Sequence, residues 1–126
     1  MRKAVHIGGM VPVAPYSPAV IANGFVFAAG QVGYDMAKQQ YFGDDVATQF
    51  DGALKNLCAV LEAAGTDLAH VVKTTVFLTD TAHFSVINEV YRSYFPLDQP
   101  ARSCVMVAGL PLGALIEIEA IAVLPD

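Results

Sequence analysis

Charge is scarce in this chain of 126 residues. Only 15% of its residues are Asp, Glu, Lys or Arg, against roughly 25% in an ordinary globular domain. Positive charge is scarcest, with seven Lys and Arg facing twelve Asp and Glu for a formal net charge of −5. The cations stand singly at Lys38, Lys55, Lys73, Arg92 and Arg102, apart from the pair Arg2-Lys3. Binding to a phosphate backbone needs several cations on one surface, so the sequence argues against nucleic acid as a partner. The only cysteines, Cys58 and Cys104, form no CxxC or Cys/His spacing, which suits free thiols in a reducing cytoplasm. His6, His70 and His83 lack the spacing of metal ligands. Neither GxxxxGK[ST] nor GxGxxG occurs, so no phosphate cradle is indicated. The apolar runs fall short of the roughly 18–20 residues of a membrane span. The segment Met1–Gly9 lacks the sustained apolar core of a signal peptide.

Apolar material, by contrast, is abundant at 55% of the chain. That composition excludes disorder, and the length fits one domain over residues 1–126. A chain this short buries only about two-thirds of the surface that its unfolded form exposes. Some of the surplus is therefore expected against other subunits.

Periodicity places the elements. Val46, Phe50, Ala53, Leu54, Leu57, Leu61 and Ala64 recur at helical steps, with Asp44 or Asp45 to cap the start and Gly65 to stop the helix. A second helix is predicted from about Ala82 to Phe95. Its expected buried stripe is Phe84, Ile87, Tyr91, Tyr94 and Phe95, with Thr81 or Asp80 as cap and Pro96 as terminator. Strands are predicted at Ala19–Ala22 and Phe25–Ala29, joined by the hairpin signal Asn23-Gly24. Others are expected near Lys3–Ile7 and at Val71–Leu78, Ser103–Val107 and Leu115–Val123. The order β-β-β-α-β-α-β-β is an α+β pattern with two crossovers. Two helices cover only one face of such a sheet. In the last strand Ile116, Ile118, Ala120 and Ala122 share one side, and Leu115, Glu117, Glu119, Ile121 and Val123 the other. The second side is too apolar for water and too charged for a core, as a subunit interface containing a site would be.

Several residues stand out chemically. Arg102 begins an apolar strand, where a planar guanidinium needs an anionic partner. A substrate carboxylate is one candidate partner, and a structural ion pair with Glu117, Glu119 or another acid is the other. A partly buried glutamate on this strand would have a raised pKa and could hold or deprotonate a water; an ordinary structural acid is the alternative. Tyr16 is held between Pro15 and Pro18, as a cleft residue or a packed one. Gly30 permits close backbone approach or ends its strand, and Asn88 interrupts an apolar helical segment. Cys104 has no histidine nearby in sequence, so it reads as a packed or backbone-contributing residue rather than a nucleophile.

These features converge on a family. The segments Pro15-Tyr16-Ser17-Pro18-Ala19-Val20, Gly30-Gln31, Asn56-Leu57 through Leu61-Glu62-Ala63-Ala64-Gly65, Val71–Leu78, the residues Phe84, Asn88, Tyr91 and Phe95, and the segments Pro100-Ala101-Arg102-Ser103 and Ile116-Glu117-Ile118-Glu119-Ala120-Ile121-Ala122 occur in order along nearly the whole chain. In this the chain resembles the RidA (YjgF) family. The resemblance implies a chorismate-mutase-like α+β fold, with a mixed sheet and two helices on one face. It implies a cytoplasmic homotrimer with a barrel-like core and three clefts between subunits. It further implies hydrolytic deamination of reactive enamines and imines, of the 2-aminoacrylate and 2-iminopropanoate type, to 2-keto acids and ammonia. No cofactor or metal is implied.

By that resemblance Arg102 grips the substrate carboxylate and Glu117 positions the attacking water. Tyr16 lines the cleft from the neighbouring side. Ala29, Gly30, Asn88 and Cys104 are the further substrate-binding positions. Ala29 stands where archetypal members often carry serine, and the 33–40 loop lacks the usual turn. Both departures point to an altered substrate range, such as an aminomuconate or pyrimidine-degradation intermediate. A non-catalytic trimer that binds a metabolite carboxylate is a third reading.

Overall fold

The computed structural model describes residues 1–7 and 14–126. Gly8 and Gly9 of the N-terminal segment lie outside the described residues. The strands are β1 (Arg2–Val5), β2 (Ala19–Ala22), β3 (Phe25–Val32), β4 (Tyr34–Asp35), β5 (Gln40–Tyr41), β6 (Val71–Leu78), β7 (Ala101–Met106) and β8 (Ile116–Val123). The helices are α1 (Val46–Ala64) and α2 (Phe84–Tyr94).

Helix α1 keeps the bounds that its periodicity predicts because both ends are capped by chemistry. The Asp45 side chain accepts from the Thr48 N–H at 3.0 Å and from its hydroxyl at 2.8 Å. At the other end Gly65 turns left-handed at φ 89° and closes on Leu61 and Glu62. Its inner face buries Phe50, Leu54, Leu57 and Leu61 completely, each side chain contributing about 1.5–3 kcal/mol of apolar burial. Helix α2 begins as a 3-10 turn, Thr81–His83, capped by Asp80 on the Ala82 N–H. Its stripe differs from expectation at two positions, since Tyr94 is only half-buried. Ile87, Tyr91 and Phe95 are buried, but Phe84 is exposed, because it opens the helix at the sheet edge and its ring faces the Arg102 side chain.

The main sheet runs β1-β2-β3-β8-β6-β7, with every pairing antiparallel except β6–β7. Asn23 and Gly24, both at positive φ, form the tight β2–β3 turn. The last strand, β8, inserts centrally between β3 and β6, so the C-terminal sequence lies at the middle of the sheet. Its alternation is the predicted one: Ile116, Ile118, Ala120 and Ala122 are buried, while Glu117, Glu119, Ile121 and Val123 face the other way and are not. On that open face Phe25 and Phe27 are exposed, and Val20 and Ile121 flank Phe27 in register. The 33–40 loop holds a small hairpin, β4–β5, that the sequence does not announce.

Candidate active site

The expected site residues fall into two groups. The first surrounds Glu117. Between Ala28 and Gln31 the β3–β8 register shifts, and this bulge carries Ala29 and Gly30 past the glutamate. The Glu117 carboxyl lies directly over Gly30: a Cβ there would sit 2.7 Å from Cδ and 2.8 Å from Oε2. A side chain at position 30 would collide with the acid, so close approach is the reason for this glycine. Burial raises the Glu117 pKa, and the charge of Glu119 on the same face adds to the shift. Among the described residues no hydrogen bond engages its carboxylate, which leaves both oxygens available.

A cavity of about 580 Å³ opens beside Glu117 and includes Tyr16, Pro18, Ala29, Gly30, Tyr34 and Leu112 in its walls. Its shape is set from outside. The Ala29 N–H donates to the Pro18 carbonyl at 2.9 Å, which fixes the proline-stiffened loop bearing Tyr16. From α1, Asn56 donates to the Val32 carbonyl at 2.9 Å and the Tyr34 carbonyl at 3.1 Å, tying down the end of β3. The Tyr41 hydroxyl donates to the Leu112 carbonyl across the opposite wall.

The second group surrounds Arg102, on the edge strand β7. Its guanidinium lies over the Tyr91 ring, 4.8 Å from the centroid, and 5.7 Å from that of Phe84. Tyr91 is itself pinned, stacked on Phe50 and hydrogen-bonded to the fully buried Thr74 hydroxyl at 2.7 Å. The ion pair with Glu117 or Glu119 does not form; among the described residues Lys55 pairs with Asp51, and His70 hydrogen-bonds Asp67. Arg102 is thus oriented by aromatic faces and left without a carboxylate. It shares a cavity of about 480 Å³ with Asn88, Tyr91, Arg92, Gln99 and Pro100. Cys104 follows on the same side of β7, packed against the core. Burial pushes its thiol pKa up, with Arg102 opposing the shift, so the thiolate that a nucleophile requires is disfavoured.

Strand geometry keeps the two groups apart within one chain. Glu117 is in register with Phe77, and Phe77 with Val105. Arg102 lies three residues from Val105, an odd step, so it projects from the opposite face of the sheet. Arg102 and Asn88 line one cavity, and Tyr16, Ala29, Gly30 and Glu117 the other. Sequence reasoning gave no site role to Arg92 and Gln99 in the arginine cavity, nor to Asn56, which lines the glutamate cavity. Arg92 lies one helical turn from Asn88, a spacing that would have joined them. The partners of Asn56 are backbone groups more than twenty residues away, which leaves no local signal.

Residues 7–124 match the family model described as Endoribonuclease L-PSP. The chain is 44% identical over 111 residues to the human protein named 2-iminobutanoate/2-iminopropanoate deaminase, covering 88% of this chain and 81% of that one. It is 46% identical over 126 residues to the chloroplastic Reactive Intermediate Deaminase A of Arabidopsis thaliana, covering 98% and 67%. Among solved structures, E. coli TdcF with bound serine superposes with a TM-score of 0.90 at 36% identity, covering 98% of this chain and 99% of that one. RidA from an Antarctic Psychrobacter gives 0.90 at 35%, covering 97% and 99%. With a matched model over most of its length and relatives of this identity, the chain belongs to the endoribonuclease L-PSP family, the family also called RidA or YjgF.

Proposed function

We propose that this protein hydrolyses reactive 2-imino acids and their enamine tautomers to 2-keto acids and ammonia, in clefts completed between copies of a homotrimer. The observation that carries the reading is Arg102, a guanidinium oriented over Tyr91 with no carboxylate partner among the described residues. A fork held in that way is ready for the carboxylate of a small substrate. The relatives named as deaminases and the serine in the E. coli structure agree with such a ligand. The formal charge of −5 supports a small molecule over RNA.

In this mechanism Arg102 fixes the carboxylate and with it the adjacent C=N carbon. Ionised Glu117 accepts a proton from water as the water oxygen bonds to that carbon. The proton passes to the imine nitrogen to give the carbinolamine; Glu117 then carries the carbinolamine hydroxyl proton to the same nitrogen, so that the C–N bond breaks and ammonia leaves as the carbonyl forms. A raised carboxyl pKa suits the role, because a base works best when its pKa approaches the working pH. General acid–base help of this kind contributes roughly 10²–10⁴-fold. Since the two residues project from opposite faces of one sheet, a neighbouring copy supplies the missing half. The exposed apolar face with Phe25 and Phe27 is the surface on which copies would meet.

The test generates 2-iminopropanoate with an amino-acid oxidase and traps it with semicarbazide. The protein is expected to lower the trapped fraction, and Arg102→Ala to abolish that effect while the assembly survives on a sizing column. An unchanged trapped fraction with the intact protein would overturn the reading.

A further inference from the structure

The arginine cavity holds a second cation that the deamination mechanism does not use. Arg92 lines the same space of about 480 Å³ as Arg102, yet it reaches it from α2 rather than from β7. Asn88 precedes Arg92 by one turn and faces the same cavity, and Tyr91 between them carries the Arg102 guanidinium. Neither arginine has an ion-pair partner among the described residues. Gln99 donates its amide to the Phe95 and Pro96 carbonyls at 3.0 and 3.3 Å, which holds this wall of the cavity in place. Two of only seven cations therefore converge on one polar cavity of an acidic protein. An anion that enters a space lined by two cations is attracted by both, and a ligand with one carboxylate pairs with only one of them.

We infer that Arg92 is a specificity-determining residue that binds a second, distal carboxylate, so that the preferred substrates are four- or five-carbon dicarboxylic 2-imino acids. Arg102 takes the carboxylate next to the imine and Arg92 the one at the far end. The reaction is unchanged: water adds to C=N, and a dicarboxylic 2-keto acid and ammonia result. The inference rests on the deaminase reading for its chemistry but not for its binding geometry.

Calorimetry of the intact protein with 2-oxoglutarate and 2-oxobutanoate, the corresponding di- and monocarboxylic products, separates the two. The wild type is expected to bind the dicarboxylate about tenfold more tightly, as one added charge-assisted contact allows. Arg92→Gln should bring the ratio of dissociation constants close to one, and Arg92→Lys should restore part of the preference. In the trapping assay, Arg92→Gln should raise KM for 2-iminoglutarate relative to that for 2-iminopropanoate, with little change in the ratio of kcat values. A wild-type ratio near one, or a preference that survives in Arg92→Gln, overturns the inference. A preference that depends on Arg92 in a protein that hydrolyses neither imine would uphold the distal site and defeat only the deaminase reading.

Discussion

At the scale of single residues, the role proposed for Glu117 predicts a pH dependence. Burial and the neighbouring Glu119 raise its pKa above the ordinary carboxylate value. Only the ionised form accepts a proton from water, so kcat/KM should fall as the pH drops through that raised pKa. The acid limb is expected at higher pH than a freely exposed glutamate would give, and Glu117→Gln should remove the limb together with most of the activity. A pH–rate profile with a trapped substrate checks this. Gly30 offers a second test. Its missing Cβ is the space that the Glu117 carboxyl fills, and that carboxyl is the end of a flexible side chain. Gly30→Ala should therefore leave the circular dichroism spectrum and Tm nearly intact but displace the acid, and a misplacement of about 1 Å costs on the order of 100-fold in rate. Arg102 and Glu117 are legible in the sequence because each is a charge within an apolar strand. Arg92 is not, because a charged residue on an exposed helical face is the ordinary case.

At the scale of elements, the long amphipathic segments are the readable ones. Helix α1 and strand β6 have the bounds that pattern alone predicts, since caps and β-branched runs are local signals. The β4–β5 hairpin is not readable: its strands have two residues each, too few for any period. Its position depends instead on Asn56, which reaches from α1 to the carbonyls of Val32 and Tyr34. Asn56→Ala should lower stability by about 1–2 kcal/mol through the loss of these bonds, seen as a Tm drop of several degrees. It should also raise KM, because the wall of the Glu117 cavity loosens. Phe84 shows the reverse failure. Its spacing fits the α2 stripe, but the 3-10 turn ahead of it places the ring at the open edge near Arg102.

At the scale of the whole molecule, composition points to apolar surface beyond the reach of two helices, and the open face of the sheet exposes Phe25 and Phe27. What composition does not encode is that the expected catalytic pair projects from opposite sides of that sheet, because this follows from long-range register. Complementation tests the consequence. Arg102→Ala and Glu117→Ala should each be inactive alone, yet denatured together and refolded they should regain about a quarter of the wild-type activity, the share of interfaces that receive an intact residue from each neighbour in a closed ring. Absence of any recovery in verified mixed oligomers would place both residues of each site in one chain. The division of the pair also bears on when the protein becomes active. Under the proposed mechanism, a newly synthesised chain whose two halves face away from one another holds no complete site and should be born dormant. Specific activity should then depend on protein concentration, and dilution below the dissociation constant of the assembly should extinguish turnover.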